Sequence, residues 1–141
     1  MNIALLLTPK KEVITLDYHF TIEQAMEVMS VHRFSSVPVI DSRGRFKNAL
    51  SEGDILWYME DNSKYTRSEL IYTSIRKVKR HHDLKAVSIN ADLESLIELV
   101  YTQSFVPVVD DDNVFIGIIK RSDIIHYSMR HLKEKAEALV S

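Results

Sequence analysis

Hydrophobic and polar positions along the chain form one pattern, written twice. A short apolar, β-branched run, Val13–Leu16, precedes apolar residues at helical spacing: Ile22, Ala25, Met26, Val28 and Met29. The second copy has Ala86–Ile89, then Leu93, Leu96, Ile97, Leu99 and Val100. Each helix is followed by a strand signal around a proline, "SSVPVID" at Pro38 and "SFVPVVD" at Pro107, 69 positions apart. A polar turn comes next, with Gly44 in the first copy and Asp112 in the second. A third strand then ends at Ser51 or Lys120, and a last helix begins at about Glu52 or Arg121. Thr21 and Asp92 stand where N-caps belong, because their side-chain oxygens can accept from the first free amides.

Each unit therefore reads β-α-β-β-α over roughly sixty residues, a size that is marginal alone. Two copies side by side can bury one another's sheet faces, so the expected fold is α+β, a pseudo-twofold pair with two related clefts. The expected organisation is a first repeat with its N-terminal segment at 1–62, a linker at 63–80 and a second repeat with a C-terminal helix at 81–141. A short helix is expected near Ser68–Ile75, and the C-terminal helix should be the longest. Met29 to Pro38 spans nine steps and Val100 to Pro107 seven, so the second copy has lost about two residues between helix and strand.

Composition narrows the chemistry. The 141 residues are 45% hydrophobic and 27% charged with a net charge of −2, which gives no global electrostatic case for nucleic acid or a membrane surface. Absence of cysteine excludes disulfides, thiolate catalysis and cysteine metal sites. Nothing approaches the roughly 20 consecutive apolar residues of a membrane span, and a cytoplasmic location is expected. With three glycines, and without a Walker loop, a dinucleotide-binding glycine set or a nucleophile elbow, the chain is not expected to be an enzyme.

The repeated acids at Asp54 and Asp123, again 69 apart, carry the candidate chemistry. The plainer reading is a helix-start carboxylate that caps free amides and meets the helix dipole. The neighbours add to it: Ser51 or Lys120 lies three residues earlier, at the strand end. Strand-end side chain, helix-start amides and carboxylate around one mouth suit a phosphorylated ribose, with amides and cation on phosphate and the carboxylate on sugar hydroxyls.

The order β-α-β-β-α, the "VPVID" segment and the apolar–Ser-x-x-Asp junction resemble a CBS domain. The whole chain, from about Pro9 to about Leu132, resembles a tandem CBS pair, or Bateman module. The resemblance implies two clefts for adenine nucleotides, each built from both repeats. One would use Val13, Ile14, Ser35 and Ser36 with Ile118, Lys120, Arg121, Ser122 and Asp123. The other would use Ser51 and Asp54 with Ala86, Val87, Ser104 and Phe105. The segments "TQSFVPV" and "DDDNVFIGIIKRSD" are similar to small stand-alone CBS-pair proteins of Gram-positive bacteria, some of which bind cyclic di-AMP. That dinucleotide is therefore a candidate ligand beside AMP, ADP and ATP. Lys120 and Arg121 mark the Asp123 cleft as the better anion site, whereas Glu52 after Ser51 would repel phosphate, so the Asp54 cleft should be weaker or empty. No cofactor is expected beyond this regulatory ligand. Regulation of a target protein in trans follows, with a homodimer as the implied assembly. The alternative is a ligand-free protein-interaction dimer on the same scaffold. A second rival, an enzyme of nucleotide metabolism, would be revealed by turnover.

Other constellations are read more plainly. His81 and His82 are adjacent and diverge, and His126 and His131 are five apart rather than four, so surface or packing roles are expected in place of a metal site. The basic run Arg76–Lys85 reads as a solvated linker, or as a place from which Arg80 closes over a phosphate. Trp57, Tyr58 and Tyr127 follow the two acids on the last helices and suit either core or the dimer contact that the resemblance implies.

Overall fold

The computed structural model describes residues 2–63 and 66–140; residues 64 and 65 of the expected linker lie outside them. The first unit runs β2 (Leu16–Asp17), α1 (Ile22–His32), β3 (Ser36–Ile40), β4 (Phe46–Ser51) and α2 (Glu52–Asn62), with β1 (Thr8–Pro9) ahead of it. A short α3 (Arg67–Tyr72) leads to the second unit: β5 (Val87–Ser88), α4 (Leu93–Val100), β6 (Phe105–Val109), β7 (Phe115–Lys120) and α5 (Arg121–Val140). The doubled β-α-β-β-α order is that of the sequence pattern, and α5, with 20 residues, is the longest helix among the described residues. No helix of the described residues is long and apolar enough to cross a membrane.

Local chemistry sets the helix starts. Thr21 and Gln24 form a reciprocal capping box at α1, the Gln24 amide donating to Thr21 Oγ1 and the Thr21 amide to Gln24 Oε1. Asp92 Oδ1 accepts from the Ser95 amide at 2.8 Å and caps α4. The two-residue deletion is taken up at the C-termini: α1 has 11 residues and ends in a left-handed Arg33, while α4 has 8.

In each unit the first strand runs parallel to the second and the second antiparallel to the third. The expected strands Val13–Leu16 and Ala86–Ile89 shrink to Leu16–Asp17 and Val87–Ser88, because only these residues lie beside a partner, Val39–Ile40 or Val108–Val109. Inward positions of the strands and helices form two cores. One holds Leu16, Ile22, Ala25, Met29, Val37, Val39, Leu50 and Ile55; the other holds Val87, Leu96, Val106, Val108, Ile119 and Ile124.

One feature has no sequence signal. β1, in the segment expected to go with the first repeat, pairs antiparallel with β7 and becomes the fourth strand of the second sheet, in register Thr8↔Ile118 and Pro9↔Gly117. Ile3, just ahead of it, is fully buried in the second core. Gly117 permits the approach, since a Cβ there would run into the Thr8 carbonyl. The linker behaves differently: Ile75 and Val78 are buried in the core of the repeat that precedes them. The two units meet at their β-turns, where Arg45 bridges to Val114, the Phe46 amide donates to Asn113 O, and the Phe115 amide donates to Gly44 O.

Candidate functional site

A cavity of about 530 Å³ opens between the units. The segment before β2 contributes Thr8, Glu12, Val13 and Ile14; α1 to β3 contributes Phe34, Ser36 and Pro38. The second unit supplies Ser104, Phe105, Ile118, Lys120, Arg121, Ser122 and Ile125. Strand alternation explains the β3 wall: Val37 and Val39 enter the core, so Ser36 and Pro38 face the other way.

Seven residues predicted for one cleft, Val13, Ile14, Ser36, Ile118, Lys120, Arg121 and Ser122, line this cavity together. Asp123 lies next door. It lines an adjoining hollow of about 480 Å³ with Leu5, Leu6, Leu7, His126, Tyr127 and Arg130, and Thr8 borders both spaces. Ser35 faces elsewhere, into a groove between α1 and α2, and its carbonyl accepts from the Glu52 amide. Ser104 and Phe105, assigned from sequence to the other cleft, line this one, because β6 lies across from β3 on its far wall. Thr8, Glu12, Phe34, Pro38 and Ile125 were not foreseen; Glu12 adds a carboxylate to the wall. Arg121 is partly committed, its Nε donating to Val100 O at 2.8 Å. Lys120 is exposed and has no ion-pair partner among the described residues. Neither the N–H nor the C=O of Ile14 has a hydrogen-bond partner among the described residues.

On the Asp54 side the carboxylate is taken up by the protein's own groups. Asp54 is 4% exposed and forms a capping box with Ser51, the Ser51 amide donating to Oδ2 and Ser51 Oγ accepting from the Asp54 amide, both at 3.0 Å. Its Oδ1 also accepts from the His81 amide at 3.0 Å and lies 3.1 Å from His81 Nδ1. The His81 ring meets Trp57 edge-on at 4.5 Å. Burial pushes the Asp54 carboxyl up, but the hydrogen bonds from Ser51 and His81 outweigh it and hold the pKa below the usual carboxylate range.

Arg80, considered from sequence for phosphate, turns inward. Its Nε donates to Ala49 O at 2.7 Å and its Nη1 to Val78 O and Ile75 O at 2.6 and 3.1 Å. Burial lowers the pKa of this guanidinium, with Asp54 acting in the opposite direction. Asn48, with φ 67°, stands where the second unit has Gly117, and its Oδ1 accepts from the Leu84 amide at 3.1 Å.

Val87, expected in this second cleft, is instead buried in the second core. The step between Leu16 and Val87, which lead the equivalent strands, is 71, so Leu84 and Lys85 occupy the places of Val13 and Ile14. Ala86 falls between that pair and the core. Among the described residues no group of three or more His, Asp or Glu is placed to hold a metal ion.

Comparison with known proteins accords with this architecture. CbpB in complex with c-di-AMP is 24% identical, with a TM-score of 0.86 over 98% of this chain and 91% of that one. A CBS domain protein from Streptococcus pneumoniae TIGR4 is 25% identical, with a TM-score of 0.81 over 92% and 87% of the two chains. CbpB from Listeria monocytogenes in complex with c-di-AMP is 21% identical, with a TM-score of 0.79 over 94% and 98%. Among curated proteins, inosine-5'-monophosphate dehydrogenase of Methanocaldococcus jannaschii is 27% identical over 117 residues, 82% of this chain but 21% of that enzyme's length. The CBS domain family matches residues 5–61 and 75–130, which take in both strand-to-helix junctions. Two copies of one β-α-β-β-α unit, joined at their β-turns and each matched in turn, place this chain in the CBS domain family.

Proposed function

We propose that the chain is a regulatory module whose inter-repeat cavity takes an adenine nucleotide, cyclic di-AMP or a mononucleotide such as AMP, ADP or ATP. The observation that carries this reading is a single cavity walled by both repeats, apolar on most sides, with Lys120, Arg121 and Ser122 at one edge. The base would lie among Ile14, Phe34, Pro38, Phe105 and Ile118, where burial of a flat aromatic surface is favourable. Phosphate would meet the Lys120 ammonium, the free Nη groups of Arg121 and the first-turn amides of α5, each charge-assisted bond contributing about 1.5–3 kcal/mol. Asp123 would accept from ribose hydroxyls across Thr8. Two similar structures that hold c-di-AMP support the dinucleotide as the first ligand to try.

The module would act on a target protein in trans and as a homodimer, in the cytoplasm where such nucleotides are found. The exposed Leu56 and Trp57 of α2 and Ile125, Met129 and Leu132 of α5 form the apolar faces for the dimer contact. The test is calorimetric titration and thermal shift of nucleotide-stripped protein with cyclic di-AMP, AMP, ADP and ATP. At a hundredfold excess over Kd a bound ligand stabilises by about 2.7 kcal/mol. Neither heat nor shift with any of the four would sink the proposal.

A further inference from the structure

Gln103, in the second unit, is a polar side chain only 7% exposed, and all its side-chain bonds go to backbone. Its Oε1 accepts from the Lys85 amide at 3.0 Å, while its Nε2 donates to Lys85 O at 3.0 Å and to Phe105 O at 3.3 Å. The amide orientation is fixed by these partners, since a backbone N–H can only donate and a carbonyl only accept. The carboxamide thus engages both peptide groups of one residue, Lys85, through an adjacent donor and acceptor.

Ile14 holds the place of Lys85, each lying two residues before the strand that pairs with Val39 or Val108. Phe34 holds the place of Gln103, each lying two residues before β3 or β6. Phenylalanine cannot reproduce the carboxamide, and among the described residues the Ile14 N–H and C=O are unpaired beside the 530 Å³ cavity. The two halves offer the same peptide edge; one is satisfied from within and the other is left for something else. A nucleobase edge with an amine next to a ring nitrogen, as on adenine, carries the same donor–acceptor pair as a carboxamide.

We infer that Gln103 is a built-in substitute for a nucleobase edge: it seals the second cleft and limits the chain to ligand in the first. The inference rests on the nucleotide reading above and adds a residue that sets stoichiometry. Neither helix-start charge nor the Asp54 network is needed for it.

The experiment counts cyclic di-AMP and AMP, titrated separately, bound per chain by the native protein and by Gln103→Ala. Release of the Lys85 peptide should raise the count for at least one nucleotide by one per chain. An unchanged count in a folded variant overturns the inference and leaves the nucleotide reading standing; no binding by either protein fails both. If Gln103→Ala does not fold, as judged by its melting curve, the reverse exchange decides. Phe34 is 46% exposed, so replacing it removes little core packing. Phe34→Gln should move the seal to Ile14 and weaken binding at least tenfold relative to Phe34→Leu, with the Ile14 amide protected from exchange before any ligand is added. Equal affinity in the two Phe34 variants overturns the inference.

Discussion

In the half that holds Asp54, residues Ser51, Asn48 and Gln103 turn backbone and carboxylate groups of the same chain into hydrogen-bond partners. In the other half the three equivalent places hold Lys120, Gly117 and Phe34, and none of these repeats those bonds. One template, copied twice, has been filled on one side with groups that satisfy the fold and on the other with groups that leave it unsatisfied. Pseudo-symmetry of backbone does not carry over to chemistry. Three positions distinguish the half whose polar groups are satisfied from within from the half that leaves them open.

The largest effects should come from exchanging the two acids. Asp54→Ala removes the carboxylate that the Ser51 amide, the His81 amide and the His81 ring all meet, and should cost about 2–3 kcal/mol in denaturant unfolding. Asp123→Ala, with no hydrogen bond to lose among the described residues, should stay within about 0.5 kcal/mol while nucleotide affinity falls at least tenfold. Equal stability losses would erase the contrast between the halves.

A smaller change sharpens it. Lys120→Ser recreates the Ser-x-x-Asp spacing of α2 in α5, so a capping box can form and should stabilise by about 0.5–1 kcal/mol. The same change removes the free ammonium, so nucleotide binding should weaken and lose much of its salt dependence. Thermal melts and titrations at two salt concentrations read both.

The smallest expected effect is on acid stability. Because the folded-state pKa of Asp54 lies below its unfolded value of 3.8, its contribution is present above about pH 4 and is lost as pH falls through the folded pKa. Asp54→Asn should therefore flatten the acid limb of stability against pH below about 4, as read by denaturant unfolding across that range.

Local rules explain how much of this was legible in sequence. Thr21 and Asp92 cap helices through neighbours three residues on, so their roles could be read without tertiary knowledge. Strand and helix order followed from apolar spacing and its repetition at Pro38 and Pro107. Seven of the cavity residues were found because Lys120–Ser122 and Val13–Ile14 flank recognisable elements. The misses have longer-range causes. Ser104 and Phe105 were given to the wrong cleft because which units face each other across a cavity is not encoded in either strand. Val87 was misplaced because the repeat step changes from 71 before the deletion to 69 after it. Arg80 in a basic run looks solvated until its carbonyl partners, Ala49 among them, are brought around it. Gln103 carries no periodic signal, and its role depends on Lys85, 18 residues away along the chain.

The pairing of Thr8 with Ile118 also bears on how the molecule assembles. During synthesis the N-terminal residues leave the ribosome first, but the edge they join exists only once β7 has emerged. Ile3 must stay solvated, or find temporary cover, until then. Closing so long a loop is slow relative to local helix formation. The second sheet is therefore the last to be completed, by a strand made long before its partner, and the walls that Thr8 and Ile118 contribute come into being in that same closing step.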